Sequence, residues 1–532
     1  MRKITFCITI LLFSCHLLTS LYGQESNFLR GKVLDQKTAE PVVFATVRIK
    51  GMAKGVITNM DGSFRLPLQF REDGKSIVVS SMGYEKKEYA LQRLSPKDIN
   101  VIYLVPSTIS LTEAIVSAKK KRDPSARQII KRAIENIPNN YPNTNYTLKG
   151  YYRDYQLDTL GYVNLNEALL AVFDKGFDEI DTATTRTQMY EYRQNFNFRR
   201  DTLADDAYDY RKWRKIIDNA YLSAHGGNEF QILRVHDAIR NYRIGSYDFV
   251  GTLNQDLIKN HSFKRLSDTN LDNEQFYTIQ IKKVFPDFEA RGKIFISKDD
   301  YAINKLAYAV FDDNKRNNDS ILRNKGIKGE PIFEVTTEYQ RALDDKLYLN
   351  YISLHNTFQL AKPPKFIVSY LMVFAEEGTF NIHFNNRLAL GQDVKNSKRY
   401  SFQYKGEKIR FKNITKENDT LIKLYPDMKQ EALDNMMREI DVMNRKNINL
   451  TGVLEFSVNG LIDVEGNLLN TWTYKNYNQF REFFVQEHDK RNIKALDSLF
   501  MDKRKPIFDN QPIVKPDNVN EYWMNTPLKK VN

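Results

Sequence analysis

Gly55-Val56-Ile57-Thr58-Asn59-Met60-Asp61-Gly62-Ser63-Phe64-Arg65-Leu66 sets two short runs of β-forming residues on either side of an Asp-Gly pair. Glycine takes a positive φ at little steric cost, so the stretch reads as two strands joined by a tight hairpin turn. Just upstream, Ala45-Thr46-Val47-Arg48-Ile49-Lys50-Gly51 alternates with period 2. Ala45, Val47 and Ile49 fall on one face and Thr46, Arg48 and Lys50 on the other, as in a half-buried strand. Farther out, Gly31-Lys32-Val33-Leu34-Asp35 precedes a polar turn with Pro41, and Ser76–Met82, Glu88–Leu91 and Asn100–Leu104 come after. Short strands separated by turn residues predict a sandwich of about seven strands over residues 24–107.

Gly31-Lys32-Val33, Pro41-Val42-Val43-Phe44-Ala45-Thr46-Val47, Gly55 through Phe64 and Ser80-Ser81-Met82-Gly83-Tyr84 also stand in a recognisable order. They resemble the carboxypeptidase regulatory-like domain, a transthyretin-like β-sandwich. The resemblance implies a non-catalytic interaction module, similar to the appendage of zinc carboxypeptidases and to the N-terminal domain of envelope proteins such as glycan-uptake TonB-dependent receptors. Leu111-Thr112-Glu113-Ala114-Ile115-Val116 resembles the segment on the C-terminal side of the domain in those receptors. The chain beyond it is nevertheless too short for a plug and a barrel of roughly 22 strands at about 10 residues each.

The domain name brings no activity with it. A zinc peptidase needs three protein ligands and one position left open for water. Past residue 23 the histidines are His225, His236, His261, His355, His383 and His488; none has Glu three residues later and none begins His-Glu-x-x-His.

The chain has 532 residues, 79 Lys+Arg against 66 Asp+Glu, a formal net charge of +13 and 42% hydrophobic residues. That composition suits two or three globular domains of roughly 100 to 200 residues and excludes disorder, collagen and coiled coil. Residues 1–23 have the layout of a secretory signal peptide: Arg2 and Lys3, the apolar run Ile4–Phe13, then a more polar stretch ending at Gly23. The expected location is the periplasm or the periplasmic face of the outer membrane. The alternative is a lipoprotein: Leu12-Phe13-Ser14-Cys15 is a weak lipobox that would leave Cys15 as the anchor. Cys7 and Cys15 are the two cysteines, so a chain cleaved after Gly23 has no disulfide, cysteine nucleophile or thiolate metal site. In an exported protein the positive excess is either a basic but otherwise ordinary surface or one that faces anionic envelope glycolipid or polymer rather than nucleic acid.

Residues 108–145 read as a linker and an amphipathic helix. Lys119-Lys120-Lys121-Arg122 is either a solvated linker or a contact for an anionic glycolipid surface. Asp123-Pro124 signals a helix start, and Ala126, Ile129, Ile130, Ala133, Ile134 and Ile137 form its apolar stripe. Residues 146–404 predict a large curved antiparallel sheet, half-barrel-like, with strands at Gln275–Val284, Gly292–Ser297, Ala302–Phe311, Ile332–Leu343, Leu347–Phe358, Phe366–Phe374 and Thr379–Phe384. An insertion over 205–243 reads as mainly helical, with Trp213, Ile216, Ile217 and Tyr221 on one face. Residues 405–532 read as an α+β region with an extended tail: a helix over Asp427–Met443, a hairpin of Leu450–Val458 with Gly460–Asn467, and helices over Asn476–Phe484 and Ile493–Phe500. The fold class is thus mainly β with helical insertions.

Arg127 through Ile134, Asn140-Tyr141-Pro142, Gly150-Tyr151-Tyr152-Arg153 and Gly292-Lys293-Ile294-Phe295-Ile296-Ser297 resemble a family of uncharacterised envelope proteins with the same N-terminal domain. The Gly292–Phe311 hairpin is also similar to the repeating hairpin of periplasmic lipoprotein carriers, which implies a curved sheet able to hold acyl chains.

No common nucleotide cradle or serine elbow occurs in the sequence. Asp268-Thr269-Asn270-Leu271-Asp272-Asn273 starts like a calcium loop but lacks the glycine at position six and the glutamate at twelve. The pairs Asp299/Asp300, Asp312/Asp313 and Asp344/Asp345 sit in or near predicted turns, where Asp is favoured for backbone reasons. No catalytic, cofactor or metal residue is therefore assigned. The expected function is a non-enzymatic exported envelope protein, with the sandwich as interaction module and the curved sheet binding an apolar or amphipathic ligand or a partner protein. Two alternatives remain: an envelope-polymer hydrolase using carboxylates or His225 in the sheet cavity, and a scaffold on anionic envelope surface.

Overall fold

The computed structural model describes residues 27–52, 54–107, 123–209, 214–217, 222, 224–243, 256–271, 274–316, 329–490, 495 and 497–528. The segment expected to be a signal peptide, with Cys7 and Cys15, the segment Leu111–Val116, the run Lys119–Arg122, and Trp213 and Tyr221 lie outside them. The chain divides into two compact units, residues 1–358 with 476–532 and residues 359–475.

The first unit begins with seven strands: β1 Phe28–Asp35, β2 Thr46–Ile49, β3 Gly55–Ile57, β4 Ser63–Pro67, β5 Ser76–Ser80, β6 Lys87–Ala90 and β7 Ile99–Leu104. They form two sheets, β4-β1-β7 and β3-β2-β5-β6, a β-sandwich. Its core is apolar and close to dry: Val33, Val47, Ile49, Phe64, Leu66, Ile77, Val79 and Leu104 are fully buried. Gly31 faces Phe64 across β1 and β4, and the ring lies where a Cβ on Gly31 would stand. Gly62 has φ +77 as the turn requires, yet the turn is not a hairpin. β3 pairs with β2 and β4 with β1, so the chain crosses from one sheet to the other. Gly62 N–H still donates to Asn59 O and Asn59 N–H to Ser63 O. The local turn chemistry is therefore satisfied while the partners of each strand are set by burial.

Helix α1, Ala126–Glu135, comes next. Its cap is Ser125, whose capping box with Gln128 places the start two residues after the Asp-Pro signal. Ile129, Ile130, Ala133, Ile134 and Ile137 are buried as the stripe predicts. Then come β8 Tyr146–Asp158, β9 Gly161–Asp174 and β10 Arg186–Gln194, with the two-residue β11 Lys215–Ile216 and helix α2 Glu229–Val235. The meander continues through β12 Ser262–Arg265, β13 Thr269–Leu271, β14 Glu274–Val284, β15 Phe288–Ser297, β16 Ile303–Arg316, β17 Gly329–Arg341 and β18 Leu347–Lys362. The described part of 205–243 is less helical than expected, because Lys215–Ile216 adds to the sheet beside β18 and α2 has only seven residues.

The second unit contains β19 Val368–Phe374, β20 Thr379–Phe384, β21 Tyr400–Tyr404, β22 Glu407–Ile409, β23 Phe411–Asn418, β24 Leu421–Pro426, helix α3 Gln430–Arg445 and β25 Leu454–Val458. Two small sheets, β19-β20-β24-β23 and β22-β21-β25, surround a core to which α3 gives Leu433, Met436, Met437 and Ile440. The strands at 368–384 thus belong to this unit and not to the large sheet, so the units divide at 358/359 rather than at 404/405. Gly460–Asn467 is a loop with two isolated bridges, since β25 takes β21 as its partner.

The last strand, β26 Thr473–Asp489, returns to the first unit. It corrects the helix expected over Asn476–Phe484. The large sheet runs β10-β9-β8-β26-β18-β17-β16-β15-β14-β12, twelve strands with β11 and β13, and among the described residues its path does not close into a barrel. β26 lies near the middle and is covered on both faces, so almost every side chain from Gln479 to Gln486 is buried and the period-2 alternation disappears. Ring pairs Phe358–Tyr477, His355–Phe480 and Tyr348–His488 run in opposite numerical directions, which makes β18 and β26 antiparallel neighbours.

Candidate functional site

The two faces of β8 show how the large sheet is used. Tyr146, Leu148 and Tyr152 join Phe230 of α2, Phe483 of β26 and the α1 stripe in the main core. On the opposite face Tyr151 and Phe484 meet Phe44 and Ile57 of the sandwich, with Tyr522 and Met524 of the C-terminal tail. Both faces of the central strands are therefore filled by the protein's own side chains. Phe44 is the wedge. It holds φ +58, rare for a bulky residue, and its ring lies 5.0 Å from that of Tyr351 and 6.3 Å from that of Phe484.

The outward face of β2 completes the docking. Asn350 of β18 donates to Thr46 Oγ1 at 3.0 Å and accepts from Arg48 at 3.2 Å. The polar face predicted for β2 is thus partly covered by the large sheet, with Thr46 buried, Arg48 half-buried and Lys50 exposed. The tail ties the seam. Trp523 sits in the sandwich core with its indole N–H donating to Arg65 O at 2.9 Å, while its backbone pairs with the Gln486 side chain of β26. Asn525 accepts from Arg65 N–H at 2.9 Å and donates to Ile57 O at 2.8 Å.

Where sandwich and sheet diverge, an open cleft of about 720 Å³ remains. One wall is β2 and its turn, with Arg48, Ile49, Lys50 and Met52. The other is the β17–β18 turn and the end of β26, with Arg341, Leu343, Asp344, Tyr348, His488 and Lys490. Tyr348 stacks on His488 at 4.7 Å, and Lys490, paired with Asp344, lies 5.5 Å above the Tyr348 ring. Burial and the nearby Arg48 hold His488 below its ordinary pKa, so the ring is neutral at neutral pH. Lys50 pairs with Glu88 at 2.7 Å at the rim, and Arg341 with Asp300 at 2.7 Å and Glu274 at 3.3 Å deeper in. A smaller polar recess of about 180 Å³ adjoins, sharing Thr46, Ser80, Gln340 and Arg341 with the cleft. There, among the described residues, Asn304 Oδ1 and Gln340 Oε1 are buried acceptors with no donor. Apolar contacts, cations and uncommitted acceptors thus converge at one seam, a mixture that suits an amphipathic guest.

Of the residues weighed for catalysis, Asp300 and the Asp344-Asp345 turn are brought together by Arg341, which donates to Asp300 at 2.7 Å and to the Asp345 carbonyl at 3.0 Å. Asp300 is committed to Arg341 and Asp344 to Lys490, and Asp299 and Asp345 lie on the same turns. Asp312 and Asp313 lie within β16, where its register with β17 shifts after Asp312. His225 stands in a short turn at φ +43, and among the described residues no hydrogen bond or ion pair joins it to any of these carboxylates. Asp268 of the calcium-like loop pairs with Lys298 at 2.6 Å and Arg265 at 3.1 Å, so its charge is already met by cations.

Sequence reasoning missed a buried ionic ladder across the central strands. Arg153 and Glu482, both fully buried, pair at 2.5 Å, with Asn59 of the sandwich accepting from Arg153 at 2.6 Å. On the other face Arg481 pairs with Glu229, while Asp174 and Asp181 hold Arg234 and Arg240. Charged residues inside apolar strand runs, as in Phe480-Arg481-Glu482-Phe483, are the signal that could have found it. Among the described residues no helix is long and apolar enough to cross a membrane.

No curated protein matches the chain. Among solved structures, a LolA superfamily protein from Nitrosomonas europaea is similar at 8% identity, covering 44% of this chain and 86% of its own, with a TM-score of 0.17. The domain that forms one wall of the cleft is better defined: residues 29–116 match the family model of the CarboxypepD_reg-like domain.

Proposed function

We propose that this is a non-enzymatic exported envelope protein that binds an amphipathic ligand bearing an anionic group in the seam between sandwich and sheet. The cleft carries the reading. Its two walls come from different domains and put Met52 and Leu343 beside Arg48, Lys50 and Lys490. In this reading the sandwich is an interaction module in the sense that it supplies half of a binding surface. Phe44, Asn350 and the tail fix that half in place, which lowers the ordering cost of binding. The filled faces of the central strands argue against an acyl chain lying on the sheet itself.

The test is native mass spectrometry of the protein purified from its own envelope, with solvent extraction, then titration of the extracted or a model anionic amphiphile. A stoichiometric adduct is expected, with affinity falling at least about tenfold in the variant Lys50→Glu/Leu343→Asp; both side chains are exposed, so folding is spared. A clean mass and no amphiphile binding by the unaltered protein would overturn the reading.

A further inference from the structure

The second unit presents an apolar knuckle on a firmly braced loop. Segments 386–394 and 460–469 lock together: Leu388 and Asp463 form an antiparallel bridge, Ala389 N–H donates to Ile462 O, and Val464 N–H to Arg387 O, both at 2.9 Å. The Gln392 side chain donates to Ile462 O at 2.7 Å and accepts from Ile462 N–H at 3.0 Å. Asp463, 1% exposed, accepts from the backbone of Glu465 and Asn467 and from the side chains of Asn467 and Asn386. Leu461 and Leu469 are buried in the unit's core. Their neighbours Ile462 and Leu468, paired across the loop, are left facing outward with Val464 and with Leu390, which is 86% exposed. Trp472 and Tyr474 come directly after, also exposed. Arg387 on the companion segment and Lys395 and Lys398 just beyond it are exposed, with half-buried Arg399 next to them, against the carboxylates Asp393, Asp463 and Glu465, while Asp419 beside Arg387 is paired with Lys416 at 2.7 Å.

Aliphatic side chains on a rigid loop, flanked by an exposed Trp and Tyr and by an excess of cations, have the composition of an interfacial anchor. We propose that this knuckle docks on an anionic lipid surface. Leu390, Ile462, Val464 and Leu468 enter the boundary between headgroups and acyl chains. Trp472 and Tyr474 sit at headgroup level, and Arg387, Lys395 and Lys398 face lipid phosphates. Glu465 at the loop tip keeps the insertion shallow. The knuckle shares no residue with the cleft, so either site can stand without the other.

Flotation of the full chain with phosphatidylcholine vesicles containing roughly a third phosphatidylglycerol tests it. The expected result is co-flotation at low salt with a blue shift of tryptophan emission, at least about tenfold weaker on pure phosphatidylcholine or at high salt. Leu390→Asp/Ile462→Asp abolishes both signals and leaves the melting curve unchanged, since both side chains already face solvent. Should that variant fail to fold, Lys395→Glu/Lys398→Glu takes its place and is expected to lose flotation. No flotation on anionic vesicles, equal flotation on both vesicle types, or unchanged flotation of the variants overturns the proposal. So does a concentration-dependent dimer that the aspartate variant dissolves, which would make the knuckle a self-association face.

Discussion

Asp154 lies buried in β8, accepting from Tyr152 at 2.9 Å and Asn166 at 3.0 Å, with Glu229 nearby. Burial first, then the Glu229 charge, pushes its carboxyl up to about 7. The folded chain therefore holds a proton that the unfolded chain releases at the ordinary carboxylate pKa, and stability falls as pH rises from about 4 to 7. Asp237, raised to about 6 chiefly by burial, adds a slope of the same sign. His236, held down to about 4 by burial, acts oppositely, its contribution being lost as pH falls below its ordinary pKa. Asp154→Asn is expected to flatten the stability profile between pH 4 and 7 by up to one proton, read from urea midpoints; parallel profiles for variant and parent would refute this. Glu482→Gln leaves the Arg153 guanidinium buried without its counter-charge and is expected to cost about 3–5 kcal/mol. The apolar pair Arg153→Met/Glu482→Leu should recover most of that in the same denaturation assay.

Among the elements, the C-terminal tail has the largest effect for its size. Trp523→Ala removes a core indole from the sandwich and is expected to cost about 3–5 kcal/mol. Ending the chain after Asn518 should go further and expose the seam to limited proteolysis and to a dye that binds apolar surface; a protected sandwich would contradict the role given to the tail. The sandwich was legible because its inner residues alternate with period 2 and its turns carry Pro and Gly. α1 and α3 were legible from stripes at helical spacing. β26 was not, because a strand covered on both faces has no alternation and Tyr477, Phe480, Phe483 and Phe484 fall at helical spacing among polar residues. The cleft was also hidden: Lys50 and Leu343 are far apart in sequence, and the polar face of β2 looked like a solvent face until β18 was packed on it. Nothing in the alternation of a single strand records a second domain.

At the scale of the molecule, the second unit is an insertion in a hairpin, since β18 and β26 are antiparallel neighbours and the rings of Phe358 and Tyr477 stack at 5.3 Å where the chain departs and returns. Replacing residues 363–472 by a short Gly/Ser linker should leave the first unit folded with one cooperative transition, and loss of that transition would show that the sheet depends on the insertion. The threading of Trp523 through the seam also has a consequence in time. Synthesis presents the sandwich strands long before Trp523, the side chain that completes their core. The sandwich thus closes only after the strands of the large sheet have been made, and a product broken off before Trp523 carries an unfinished hydrophobic core.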